Sequence, residues 1–131
     1  MAYVVAKKSA LLIPSGPGED GKHLYVIVTA PCEAERCLLV TLTSIRDGRF
    51  FDPACRVDVG EHEFITKPSY VEYHMSRTLR CEQIVKCVDG WYFTPKPPAS
   101  EELVERLCAG LTESDFTSKI VLDYFAANRH R

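Results

Sequence analysis

Hydrophobic and polar positions along the chain fall into two regimes, and the change comes near Ser100. Before it, short apolar runs rich in β-branched and aromatic residues are punctuated by glycine, proline and charge, which is the pattern of strands and turns. ALLI (10–13) predicts a first strand, preceded by a second small apolar piece, AYVVA (2–6). LYVIVTA (24–30) is apolar at successive positions, which predicts a central strand covered on both faces. CLLVTLTSI (37–45) predicts the next strand. In ACRVDVG (54–60), Cys55, Val57 and Val59 alternate with Arg56 and Asp58, as on a half-buried strand. Between these runs, PSGPGEDG (14–21) and RDGR (46–49) read as loop and turn, and PCEAER (31–36) as a turn or a single helical turn.

The stretch EHEFITKPSYVEYHMSR (61–77) predicts two short strands around Pro68, with Val71 and Tyr73 on one face and Tyr70, Glu72 and His74 on the other. RCEQIVKCVD (80–89) fits either a strand or a short helix. GWYF (90–93) is expected to cover one end of the sheet, and the proline-rich TPKPP (94–98) to stop any strand.

From Ser100 onward the apolar period becomes helical. Ser100 is a good N-cap, with Glu101 and Glu102 in the first turn and Leu103, Leu107 and Leu111 recurring on one face. Gly110 predicts the C-terminal stop of that helix. Thr112, with Asp115 three residues on, predicts the start of a second helix whose face is Phe116, Ile120, Val121, Tyr124 and Phe125. Strands first and helices last predict an α+β fold: a small β-barrel over 1–93 with a C-terminal helical tail over 100–129, in a single domain of 131 residues.

Composition narrows the function. Sixteen basic residues against eighteen acidic ones argue against a strong non-specific polyanion binder but leave room for a local basic patch. No apolar run approaches the ~20 residues of a membrane span, and the N-terminus carries no secretory signal pattern, so a cytoplasmic protein without membrane contact is expected. The six cysteines sit in apolar settings such as CLLV and ERLCAGL, as free, small buried hydrophobes do in a reducing compartment. Four residues separate Cys32 from Cys37 and five separate Cys81 from Cys87, which does not form the matched pairs of a zinc site. No metal or cofactor is expected.

No phosphate loop, dinucleotide-binding glycine pattern or nucleophile elbow is present. Three polar groups carry the candidate chemistry: Lys22 with His23; Thr43 and Ser44 with Arg46; and His62, Ser69, Tyr70, His74 and Arg77. Gathered together they would make a phosphodiester site. Histidine, with an unperturbed pKa of about 6.5, suits proton transfer, while cations and hydroxyls suit the charged phosphorane.

The order GKHLYVIVTAP, then CLLVTLTS, then VEYHMSR resembles the core of the MazF/PemK-like toxins, over Ser9 to Leu79. That resemblance implies an SH3-like barrel with a C-terminal helix, a homodimer, metal-independent cleavage of single-stranded RNA, and inhibition by a cognate antitoxin. By position it puts the family's basic catalytic residue on His23, beside Lys22, and its hydroxyl residue on Thr43 or Ser44. The family commonly has arginine followed by proline where this chain has His23 and Leu24, so the alternative is that catalysis has shifted to His62 and His74, or has been lost. Lys22, Arg46, Ser69, Tyr70, His74 and Arg77 would contact RNA. The rival reading is a non-catalytic SH3-like module that recognises RNA or a protein partner; a third is an interaction protein of a mobile element without chemistry.

Overall fold

The computed structural model describes residues 3–15 and 21–131. The chain is α+β. Its strands are β1 (Ala10–Pro14), β2 (Lys22–Ile27), β3 (Arg36–Ser44), β4 (Arg56–Val57), β5 (Ser69–Val71), β6 (Arg77–Arg80) and β7 (Thr94–Lys96). Its helices are α1 (Cys81–Asp89), α2 (Glu101–Glu113) and α3 (Lys119–Asn128). All strand pairs are antiparallel, in the order β4-β5-β3-β2-β1-β7 with β6 also on β3. The sheet is open: among the described residues no ladder joins β4 to β7.

β3 organises the sheet. One side pairs with β2; the other pairs with β5 at its C-terminal half and β6 at its N-terminal half. Leu42 faces Val71 and Leu39 faces Arg77, so three steps along β3 are matched by six across the gap. The surplus is a 3-10 turn at Tyr73–Met75, where a continued strand was expected. The turn still leaves Val71 and Tyr73 in one core, and Tyr70, Glu72 and His74 around one hollow on the other side.

Both faces of the sheet are covered, as the unbroken apolar run in β2 predicts. Leu24, Val26, Val40 and Leu42 pack beneath α2 and α3 through Leu103, Leu107, Leu111 and Phe125. Leu11, Ile13, Tyr25, Ile27 and Leu39 pack beneath α1 through Ile84. The ambiguous stretch before Gly90 is therefore helix, turning Ile84 inward.

Several local expectations are corrected. Gly110 does not end α2: the helix runs on to Glu113, and a Cβ at Gly110 would lie 1.9 Å from the Tyr73 hydroxyl oxygen. The glycine makes room for a buried tyrosine whose hydroxyl donates to the Leu107 carbonyl at 2.8 Å. The last helix starts at Lys119, capped by Ser118, not at Thr112. Val121 and Phe125 are its buried residues, whereas Phe116 and Ile120 are exposed. Thr94–Lys96 is a strand despite Pro95, because β7 is an edge strand and needs no donor on its open side. The strand expected over 54–60 shrinks to Arg56–Val57, leaving Val59 exposed, and of the GWYF patch only Phe93 is buried.

Candidate nucleic-acid interface

The site lies where β2 begins and β3 ends. Antiparallel pairing brings these ends together: Leu24 faces Leu42, and the same register continued sets His23 opposite Thr43. Across β3, Thr43 faces Tyr70 and Ser44 faces Ser69. Two positions apart in sequence share a face, so Ser44 and Ser69 lie on the side of Leu42 and Val71, under α2. Lys22 lies on that side too, with Leu24, while His23, Thr43 and Tyr70 lie on the side of Tyr25. The polar site therefore wraps around the strand ends.

A cavity of about 410 Å³ opens there, bordered by Lys22, His23, Thr43, Ser44, Arg46 and Ser69. Its outer wall is the loop Glu63–Lys67, which adds Lys67 and Thr66, the aromatic ring of Phe64 and one acid, Glu63. Thr43, Ser44 and Arg46 also border a second hollow, with Arg49, Phe50, Tyr70 and Glu72. Phe50, Tyr70 and Glu72 in turn border a third, with His74, Asp52 and Phe116. Three hollows sharing residues make one track across the strand ends, cationic at the Lys22 end and more acidic at the His74 end.

The His23 ring is oriented by Ser15, whose hydroxyl lies 2.6 Å from Nδ1. Nε2 has no hydrogen-bond partner among the described residues, so it is the nitrogen able to take or give a proton. Tyr70 is held as a neutral phenol: burial pushes its pKa up, and the nearby Glu72 and Asp52 charges add to the shift. Phe51 packs against its ring at 5.5 Å.

His62 is placed differently. The Phe64 N–H donates to its Nδ1 at 3.0 Å, which puts the ring proton on Nε2, and Nε2 lies 2.6 Å from the Pro97 carbonyl oxygen. Both nitrogens are thus spent on backbone, and the ring is buried. His62 ties the loop after β4 to the segment entering α2, and Arg106 of α2 ties the same loop through Glu61 and the Arg56 carbonyl. These ties build the wall of the first cavity.

His74 faces Glu72 at 3.4 Å. Arg77 lies over the Tyr25 ring at 5.2 Å, away from all three hollows. Of the residues named from sequence, Lys22, His23, Thr43, Ser44, Arg46 and Ser69 meet in one cavity, and Tyr70 and His74 lie further along the track. His62 and Arg77 lie apart from it. Phe64, Thr66 and Lys67 were missed as lining residues because their stretch reads as strand; Gly60, with φ +94, begins the loop that brings them in. Comparison with protein-family models gives no match, nor does comparison with curated proteins. Among the described residues no cluster of His, Cys, Asp and Glu could hold a metal ion, and no helix is long and apolar enough to cross a membrane.

Proposed function

We propose that the chain is a MazF/PemK-type endoribonuclease that cleaves single-stranded RNA without a metal, on an SH3-like sheet. The observation that carries this reading is the shared track: cations, hydroxyls and one histidine at its head, exposed aromatics along it. Single-stranded nucleic acid is bound by that combination, cations tracking phosphates and aromatic rings stacking bases.

His23 takes the proton of a ribose 2′-hydroxyl through Nε2, and the 2′-oxygen attacks the adjacent phosphorus. The P–O5′ bond breaks and the leaving 5′-oxygen takes a proton from water, giving a 2′,3′-cyclic phosphate and a 5′-hydroxyl, while His23 returns its proton to solvent. Lys22, Arg46 and Lys67 balance the charge of the phosphorane, and Thr43 or Ser44 donates to its oxygens. Arg49, Phe50 and Tyr70 hold the flanking nucleotides. The resemblance also carries a homodimer and a cognate antitoxin as partner, which sedimentation and rescue of growth by a co-expressed partner would test.

The decisive experiment incubates purified protein with single-stranded RNA and EDTA and maps the ends produced. Cyclic phosphate and 5′-hydroxyl ends are expected. RNA binding without cleavage, weakening with salt as phosphate contacts do, would favour the binding-module reading instead.

A further inference from the structure

Three of the six cysteines converge at the other end of β3, far along the strand from the proposed RNA track. Cys32 precedes the tight turn into β3, Cys37 is the second residue of β3, and Cys81 is the first of α1. Backbone hydrogen bonds hold them together through one residue. Glu35 donates its N–H to the Cys32 carbonyl at 2.9 Å and accepts the Cys81 N–H at its own carbonyl at 2.8 Å. The Cys32 N–H closes the turn on the Arg36 carbonyl at 2.9 Å, and Glu35 has the positive φ of 55° that a turn this tight requires. Register then sets Arg36 opposite Arg80 and Cys37 opposite Leu79, so Cys81 lies just past the last pair, beside the turn.

The three thiols differ in exposure. Cys37 is fully buried, while Cys32 and Cys81 are half-buried and open to a small oxidant. Tyr124 of α3 stands over the turn, its hydroxyl donating to the Arg36 carbonyl at 3.0 Å.

We propose that Cys32 is a peroxide-reactive thiol and that Cys81 resolves it, forming a Cys32–Cys81 disulfide that fastens the β2–β3 turn to the start of α1. Electrostatics assign the roles. Tyr124 is the main cause that lowers the Cys32 pKa: its one hydroxyl proton, given to the Arg36 carbonyl while Cys32 is a thiol, turns to the thiolate when it forms, and backbone groups of the turn add to the effect. Burial raises Cys81, and it pushes Cys37 up to about 12, which leaves Cys37 an inert thiol. In the first step the Cys32 thiolate attacks one oxygen of hydrogen peroxide. The O–O bond breaks, hydroxide leaves and is protonated to water, and Cys32 becomes a sulfenic acid. In the second step the Cys81 sulfur attacks the Cys32 sulfur. The S–O bond breaks, and the leaving hydroxide combines with the Cys81 proton. Two thiols and one peroxide give one disulfide and two waters.

The test treats native protein with a small excess of hydrogen peroxide, blocks residual thiols and maps tryptic peptides. Cleavage at Arg36, Arg80 and Lys86 puts Cys32, Cys37, Cys81 and Cys87 on separate peptides. The Cys32–Cys81 linked pair is expected as the first oxidised species. In Cys81→Ser the expected product is a dimedone adduct on Cys32. In Tyr124→Phe, with the circular dichroism of the wild type, alkylation of Cys32 should slow several-fold while that of Cys87 is unchanged. Oxidation of Cys87 or Cys108 as fast as Cys32, a Cys32–Cys37 or intermolecular disulfide in place of the pair, or an unchanged Cys32 rate in Tyr124→Phe would each overturn the proposal.

Discussion

Beneath α2, between Glu61 and Arg106, polar atoms are spent on the chain itself. His62 uses both ring nitrogens on backbone, Arg106 grips a carboxylate and a carbonyl, and the Tyr73 hydroxyl fills the space a Gly110 side chain would need. At the ends of β2 and β3 the same residue types are left open. His23 spends one nitrogen on Ser15 and the other has no partner among the described residues, and Lys22, Arg46 and Lys67 line a cavity beside hydroxyls. The difference teaches that chemistry is read from what a side chain has left over after folding. A histidine with two backbone partners is a fastener, and a histidine with one is a candidate base.

The largest expected effect separates the two histidines. His23→Ala should lower the rate of RNA cleavage by about 10²–10⁴-fold, the usual contribution of a general acid–base group, with little change in melting temperature. His62→Ala should do the reverse. Cleavage per folded molecule should persist, and stability should fall by about 1–3 kcal/mol because the Phe64 N–H and the Pro97 carbonyl lose their partner. Rate measurements beside urea unfolding check both. If His62→Ala is inactive at full stability and His23→Ala is active, the assignment of fastener and base is inverted.

A second probe acts only on the locked region. Gly110→Ala places a methyl group 1.9 Å from the Tyr73 hydroxyl oxygen and 2.5 Å from its ring carbon Cζ. Tyr73 is buried and bonded to Leu107, so it cannot swing aside. Overpacking of this kind costs about 1–3 kcal/mol and sometimes more, against the ~1 kcal/mol that alanine would gain over glycine in an unconstrained helix. Net destabilisation is expected, measured by chemical unfolding. Stabilisation would mean that α2 can lift from Tyr73.

How much of this was legible depended on whether the cause was local. The buried runs of β2 and β3 and the start of α2 at Ser100 declare themselves through composition, period and capping. Gly110 misled because its role is set by Tyr73, a residue distant in sequence. Pro95 misled because an edge position, which only topology reveals, removes the objection to proline. The meeting of Lys22 and His23 with Thr43, Ser44 and Arg46 follows from the β2–β3 register and could be anticipated. The exclusion of Arg77 could not, since it depends on the surplus turn at Tyr73–Met75 and on the Tyr25 ring beneath the guanidinium.

The smallest expected effect tests where the locked region stops. Helical spacing put Ile120 on the inner face of the last helix, alongside Val121, and the structure separates the neighbours. Ile120 is 80% exposed and Val121 is 4% exposed. The reason is the start of the helix: Ser118 caps it, its side chain accepting from the Val121 N–H, and the face turned inward is the one that carries Val121 and Phe125. Ile120→Asp exchanges one solvated side chain for another and places an acid in the first turn, where the helix dipole favours it. Its effect on stability should stay within about 0.5 kcal/mol, as for ordinary surface changes. Val121→Asp buries a carboxylate with no partner and should cost several kcal/mol, on the order of 3 or more. Paired unfolding curves of the two variants read the difference directly. If Ile120→Asp were the more damaging, α3 would be rotated about its axis, and the boundary between locked and open surfaces would have to be redrawn on that side.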